Sequence, residues 1–129
     1  MADSFNAPGV VEPFGAFSSA AWQPEGRVLY LSGHVSQDAD GATVGKGSME
    51  AQTRQALENI RNVLAYAGGT MDDVAKVTVF VTDVSEIETI HKVRYEFFNP
   101  PYPASTLVQV ARLIDPDWLI EIEAIAVIP

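Results

Sequence analysis

The sequence predicts an α/β (α+β) domain of order ββαβαββ, a mixed sheet with two helices packed on one face, and three observations carry that prediction. Two segments, 49–67 and 87–98, repeat apolar residues at helical spacing. Each is flanked by β-branched, alternating runs. Every strand-helix-strand step needs a crossover, and crossovers lay parallel strands in one sheet with helices against a face. At 129 residues, 47% of them hydrophobic, the chain has the size and apolar content of one domain, taken as 1–129.

Taken in order, the chain starts with a Pro- and Gly-containing lead. Phe14 to Trp22 alternates loosely, and Arg27 to Val35 (RVLYLSGHV) is a β-branched and aromatic run closed by Asp38-Ala39-Asp40-Gly41. The spacing predicts a hairpin of these two strands through Pro24-Glu25-Gly26. Ser48 offers a helix N-cap with Glu50 in the first turn, and Met49, Ala56, Leu57, Ile60, Val63, Leu64 and Ala67 form one face before Gly68-Gly69 stops it. Thr70 to Asp73 reads as a short capped turn, and Ala75 to Thr82 as a strand packed on both faces. A second helix begins near Ser85, turns Ile87, Ile90, Val93, Phe97 and Phe98 inward and Glu86, Glu88, Lys92 and Glu96 outward, and stops before Asn99-Pro100-Pro101. Ser105 to Leu113, the turn Asp115-Pro116-Asp117 and Leu119 to Ile128 complete the sheet, the last being the strongest strand signal.

Eight Lys and Arg against seventeen Asp and Glu give a net charge of −9. That charge repels phosphate-rich partners, so neither nucleic acid nor an anionic membrane surface is expected as a partner. No apolar run reaches the roughly 18 residues needed to span a bilayer, and the opening MADSFNAPGV has neither a basic start nor an apolar stretch. A cytoplasmic protein is expected. Without cysteine there is no disulfide framework, thiolate metal site or Cys nucleophile.

Three constellations could carry chemistry. Glu121 and Glu123, two apart on a strand, share a face roughly 7 Å apart, beside Ile125 and Val127. They serve either as acid, base or water-positioner, or as an interface or surface pair meeting arginines. Ser32 and His34 are likewise placed on one strand face with Gly33 between, but same-face neighbours seldom reach triad geometry and no G-x-S-x-G elbow is present. His34 and His91 are the only histidines, without metal-ligand spacing, and the glycines at 41, 45 and 47 match no nucleotide fingerprint. No metal or cofactor is expected.

Several segments together resemble the RidA/YjgF family of reactive-intermediate deaminases. They are Tyr30 to His34 (YLSGH), Gln52 to Ile60 (QTRQALENI), Ala67 to Val74 (AGGTMDDV), Lys76 to Asp83 (KVTVFVTD), Tyr102 to Ala104 (YPA) and Ile120 to Ala126 (IEIEAIA). The resemblance spans nearly the full length. It implies a chorismate-mutase-like fold, a homotrimer with pockets between subunits, and cofactor-free hydrolysis of imines and enamines of 2-oxo acids to the oxo acid and ammonia. Some relatives have been described as ribonucleases or translation inhibitors, a role the charge of −9 makes less attractive here.

Carried over position by position, the resemblance is uneven. Where deaminating members read Pro-Ala-Arg, this chain has Pro103-Ala104-Ser105, so a hydroxyl stands in place of the arginine that forks onto a substrate carboxylate. Losing that charged pair costs on the order of 1.5 to 3 kcal/mol. A pocket tyrosine falls at Phe17, and an asparagine of the second helix at His91, which is read either as a pocket donor or as a surface helix residue. Ser32, Gly33 and Glu121 keep the family's types, with Ser32 and Glu121 as the catalytic pair and Phe17, Gly33, His91 and Ser105 as substrate contacts. One side of a two-chain cleft is expected to hold Ser32, Ser105 and Glu121, with Phe17 from the other. Arg112 is not counted as a replacement clamp, although Arg112 and Arg54 are the first cations to consider. Two readings follow: a hydrolase whose substrate is not a simple 2-imino acid, or a catalytically weak relative that binds a small molecule or partner in the same cleft.

Overall fold

The computed structural model describes residues 3–129. Its centre is a four-stranded sheet made of β3 (Arg27–His34), β4 (Val74–Val81), β5 (Ala104–Gln109) and β6 (Ile120–Ile128), in spatial order β3-β6-β4-β5. β6 runs antiparallel to both its neighbours, and β4 and β5 are parallel. The two crossovers between parallel strands carry α1 (Met49–Tyr66) and α2 (Ile87–Phe97), which pack on each other and on one face of the sheet.

Alternation along β6 explains its central place. Ile120, Ile122, Ala124 and Ala126 are buried toward the helices, and Glu121, Glu123 and Ile125 point the other way. The helices meet that apolar row with Ala56, Leu57, Ile60, Leu64, Ile90 and Val93, all essentially inaccessible. Each large aliphatic chain among them contributes roughly 1.5–3 kcal/mol on burial. Val77, Val79 and Val81 of β4 join this core, whereas the opposite side of β4, expected to be packed as well, is only half-buried. In α1, the Ser48 hydroxyl accepts from the Ala51 N–H at 3.1 Å, and Gly68, at φ +86°, supplies the left-handed turn past the helix end. Thr70 and Asp73 form a capping box at the turn before β4. α2 starts slightly later than expected, because Val84–Glu86 forms a 3₁₀ turn capped by Asp83.

The expected hairpin does not form. β2 (Ala20–Trp22) pairs instead with β1 (Asp3–Phe5) in a separate two-stranded sheet, with the Phe5 and Trp22 rings 6.2 Å apart. β3 spends its hydrogen bonds on β6, whose nine residues offer a longer partner and bring Leu29 and Leu31 over the helices. A three-residue strand in the lead is too short to show periodicity, so its pairing was invisible in the pattern. Residues 14–18, expected within a strand, form a loop tied to the start of β5: Ser18 N–H donates to the Pro103 carbonyl at 2.9 Å. Among the described residues no helix is long and apolar enough to cross a membrane.

Candidate functional site

A cleft of about 220 Å³ lies between α2, β5 and the 14–18 loop. Pairing of Ser105 with Val77, and of Leu107 with Val79, puts both β5 residues on the helix-covered side of the sheet, at the cleft floor. Phe14 and Phe17 wall it from the loop: their rings meet edge-on at 5.2 Å, and Phe17 stacks on His91 at 6.1 Å. Gly15 is required by this packing, because a Cβ there would run into the His91 ring.

Two polar side chains of α2 reach the cleft. His91 is buried rather than exposed on the helix surface, and neither ring nitrogen has a hydrogen-bond partner among the described residues. Burial, and then the nearby Arg94 charge, push its pKa below 6.5, so it is neutral at neutral pH. Arg94 is only 1% exposed. It donates to the Ala16 carbonyl at 3.2 Å, its Nε has no partner, and it makes no ion pair among the described residues. Burial brings its pKa down to about 10, which leaves it a cation.

Glu121 stands on the opposite face. It pairs with Phe80 across the β6–β4 ladder and projects away from the helices, and its carboxylate lies over Gly33, where a Cβ would overlap it. The ladder between β3 and β6 shifts register between Leu31 and His34, so two residues, Ser32 and Gly33, face one. This bulge puts Leu31 and His34 on the same, helix-covered side, paired with Ala124 and Ile122. Ser32 and His34 therefore do not share a face as their spacing predicts. Burial lowers the His34 pKa, partly opposed by the Glu121 charge.

The six sequence-derived residues thus fall into two groups. Phe17, His91 and Ser105 line the cleft, whereas Ser32, Gly33 and Glu121 gather at the β3–β6 edge of the open face. The expected grouping of Ser105 with Ser32 and Glu121 within one chain is overturned, because adjacent strand positions alternate across the sheet and Ser105 takes the covered side. Arg54 and Arg112 are spent elsewhere: Arg54 pairs with Glu96 and Glu50, and Arg112 donates to the Leu113 and Ile114 carbonyls of its own turn. The cation in the cleft is Arg94, which sequence reasoning missed. Its signal was there, since positions 87, 90, 91, 94, 97 and 98 make one helical stripe, and a charge on that stripe is out of place. Among the described residues no group of three His, Asp or Glu is disposed to hold a metal ion.

Residues 7–128 match the family model described as Endoribonuclease L-PSP. A RutC family protein of Pyrococcus horikoshii is 40% identical over 121 residues, covering 94% of this chain and 91% of the relative. A conserved Rid family protein of unknown function from Yersinia pestis superposes with a TM-score of 0.88 at 34% identity, over 98% of both chains. RidA from an Antarctic Psychrobacter reaches 0.75 at 32%, over 98% of this chain and 95% of that one. By its sequence and its fold alike, the chain belongs to the Rid/YjgF family, the family of the L-PSP endoribonuclease model.

Proposed function

We propose that the chain is a cofactor-free hydrolase of imines, and of enamines through their imine tautomers, working as a homotrimer. Each site joins the cleft of one copy to the Glu121 edge of the next. The observation that carries this reading is the division of the polar groups between the two faces of the sheet. No side-chain motion within one chain takes Glu121 through the sheet to Ser105, whereas a neighbour packed on the open face brings a second copy's cleft to it. Tyr30, Val108 and Ile125 stand exposed on that face, at 77%, 41% and 37%, among Lys76, Thr78 and Glu123, a mixture of apolar and polar side chains that another copy could cover. Three copies follow from the family resemblance and give a closed ring.

In the proposed reaction the Glu121 carboxylate orients a water and accepts its proton while the water oxygen bonds to the imine carbon and the C=N π pair moves to nitrogen. That nitrogen takes the proton from Glu121, the hydroxyl of the resulting carbinolamine passes its own proton through the same carboxylate to the nitrogen, and the C–N bond breaks, its electron pair leaving with nitrogen, to give a carbonyl and ammonia. Ser32, the Gly33 N–H and neutral His91 are the donors that polarise the C=N group and hold the water. The aromatic wall of Phe14 and Phe17 suits a substrate bulkier than a simple 2-imino acid. An RNA substrate is disfavoured by the net charge of −9.

The test is ammonia release from imines generated in situ, measured against spontaneous hydrolysis. The folded protein should accelerate release from at least one bulky imine, and Glu121→Gln should lower kcat by about 100-fold or more. No acceleration on any imine or enamine would leave the cleft as a binding site without turnover.

A further inference from the structure

We infer that Arg94 makes the cleft a site for a carboxylate attached to a flat apolar or aromatic body, the guanidinium on α2 taking the anion-holding task that Ser105 on β5 cannot perform. The inference rests on the site proposed above for its place in the reaction, but its geometry stands independently of turnover.

Three observations carry it. The first is an uncompensated buried charge. Arg94 is 1% exposed, has an unpartnered Nε and pairs with no carboxylate among the described residues. A guanidinium is costly to bury without a counter-ion, and a ligand carboxylate supplies one in the fork geometry it favours. The second is the neighbouring donor set. Ser105 and His91 share the cleft, and the His91 nitrogens are also unpartnered among the described residues, so this chain's own lining offers the anion donors and no carboxylate. Glu88 and Lys92 stand in the shallower depression outside it, beside Tyr95, and Lys92 is paired with Glu50. The third is the rest of the lining. Phe14, Phe17, Ile87 and Leu107 are apolar, and the Phe14 ring packs nearly perpendicular to those of Phe17 and His91. With about 220 Å³ available, the ligand is small: one anionic end and one ring-sized apolar end.

Benzoate, benzamide and acetate separate these terms, titrated calorimetrically into the trimeric protein. Benzoate should bind at least 10-fold tighter than neutral benzamide and than acetate, the order of one charge-assisted forked pair and of one buried ring. Arg94→Met should abolish the preference for benzoate over benzamide while both still enter the cleft, and Arg94→Lys should keep part of it. A purely structural Arg94 would weaken both ligands alike, and that result would overturn the assignment, as would equal binding of benzoate and benzamide by the unaltered protein. Equal binding of acetate and benzoate would overturn the aromatic half of it. Should the Met variant fail to fold, the Arg94 Nε–H resonance of the unaltered protein decides: it must shift on saturation with benzoate, and an unmoved resonance sinks the proposal. Benzoate preference without imine turnover removes the hydrolase reading alone, and turnover unchanged in Arg94→Met removes the clamp alone.

Discussion

On α2, over the covered face of the sheet, Arg94 is a buried cation with no counter-ion among the described residues, and on the open face Glu121 is a carboxylate with no cation paired to it among them. The two surfaces were built for different conditions. The covered side is closed by the core, where an unpartnered guanidinium is expensive and marks a place kept for a ligand. The open side mixes exposed apolar and polar side chains, and there the carboxylate is placed by backbone shape: the bulge at Ser32 and Gly33 lets Glu121 lie over a residue without a side chain. Neither half has the groups for hydrolysis alone. In the proposed reaction, binding falls to a helix stripe and water activation to a strand edge, so each could change without rebuilding the other.

That separation can be broken from the Glu121 side. Gly33→Ala puts a methyl where the Glu121 carboxylate lies, and should lower kcat by about 10-fold while benzoate affinity stays the same. Steady-state kinetics beside a benzoate titration check this, and a change in benzoate affinity as large as that in kcat would mean the two halves are not separate.

A smaller effect sharpens the contrast through pH. His91 and His34 have folded pKa values below 6.5, both lowered first by burial, so the unfolded chain binds protons that the folded one resists. Their contribution to stability is fully present above about pH 6.5 and is lost as pH falls below it toward the folded values. The exposed carboxylates whose pKa values are lowered by ion pairs, Glu50 and Glu96, act only below about 4.5. Urea midpoints should therefore decline between pH 7 and 5.5, less steeply in His91→Asn. A flat midpoint across that range would contradict the burial of both imidazoles.

How much of this was legible depended on the range of the signal. Ser48, Thr70 and Gly68 announce their caps within a few residues, and the alternation of Ile120 to Ile128 announces a central strand, so the helices and the sheet could be read directly. Pairing over distance could not. Asp3 to Phe5 as partner of Ala20 to Trp22 has no periodic mark, and the register shift that parts Ser32 from His34 depends on β6, about ninety residues on. In the site, the family motif led to Ser105 and to the missing guanidinium there. Arg94 escaped because it sits in no motif and shows only as a charge on an apolar stripe. Its isolation follows from what surrounds it in three dimensions.

The most direct test of the divided site is subunit complementation. Glu121→Gln removes the water-positioning carboxylate, and Ser105→Leu fills the cleft; each variant alone should be trimeric and nearly inactive. Unfolded together and refolded in equal amounts, they form mixed rings in which about one site in four joins an intact cleft to an intact Glu121. The account predicts recovery of about a quarter of the unaltered activity after co-refolding, and none on mixing the two trimers without exchange. Co-refolded mixed trimers without recovered activity would contradict it, as would full activity in a monomeric form, because the site would then be complete within one chain.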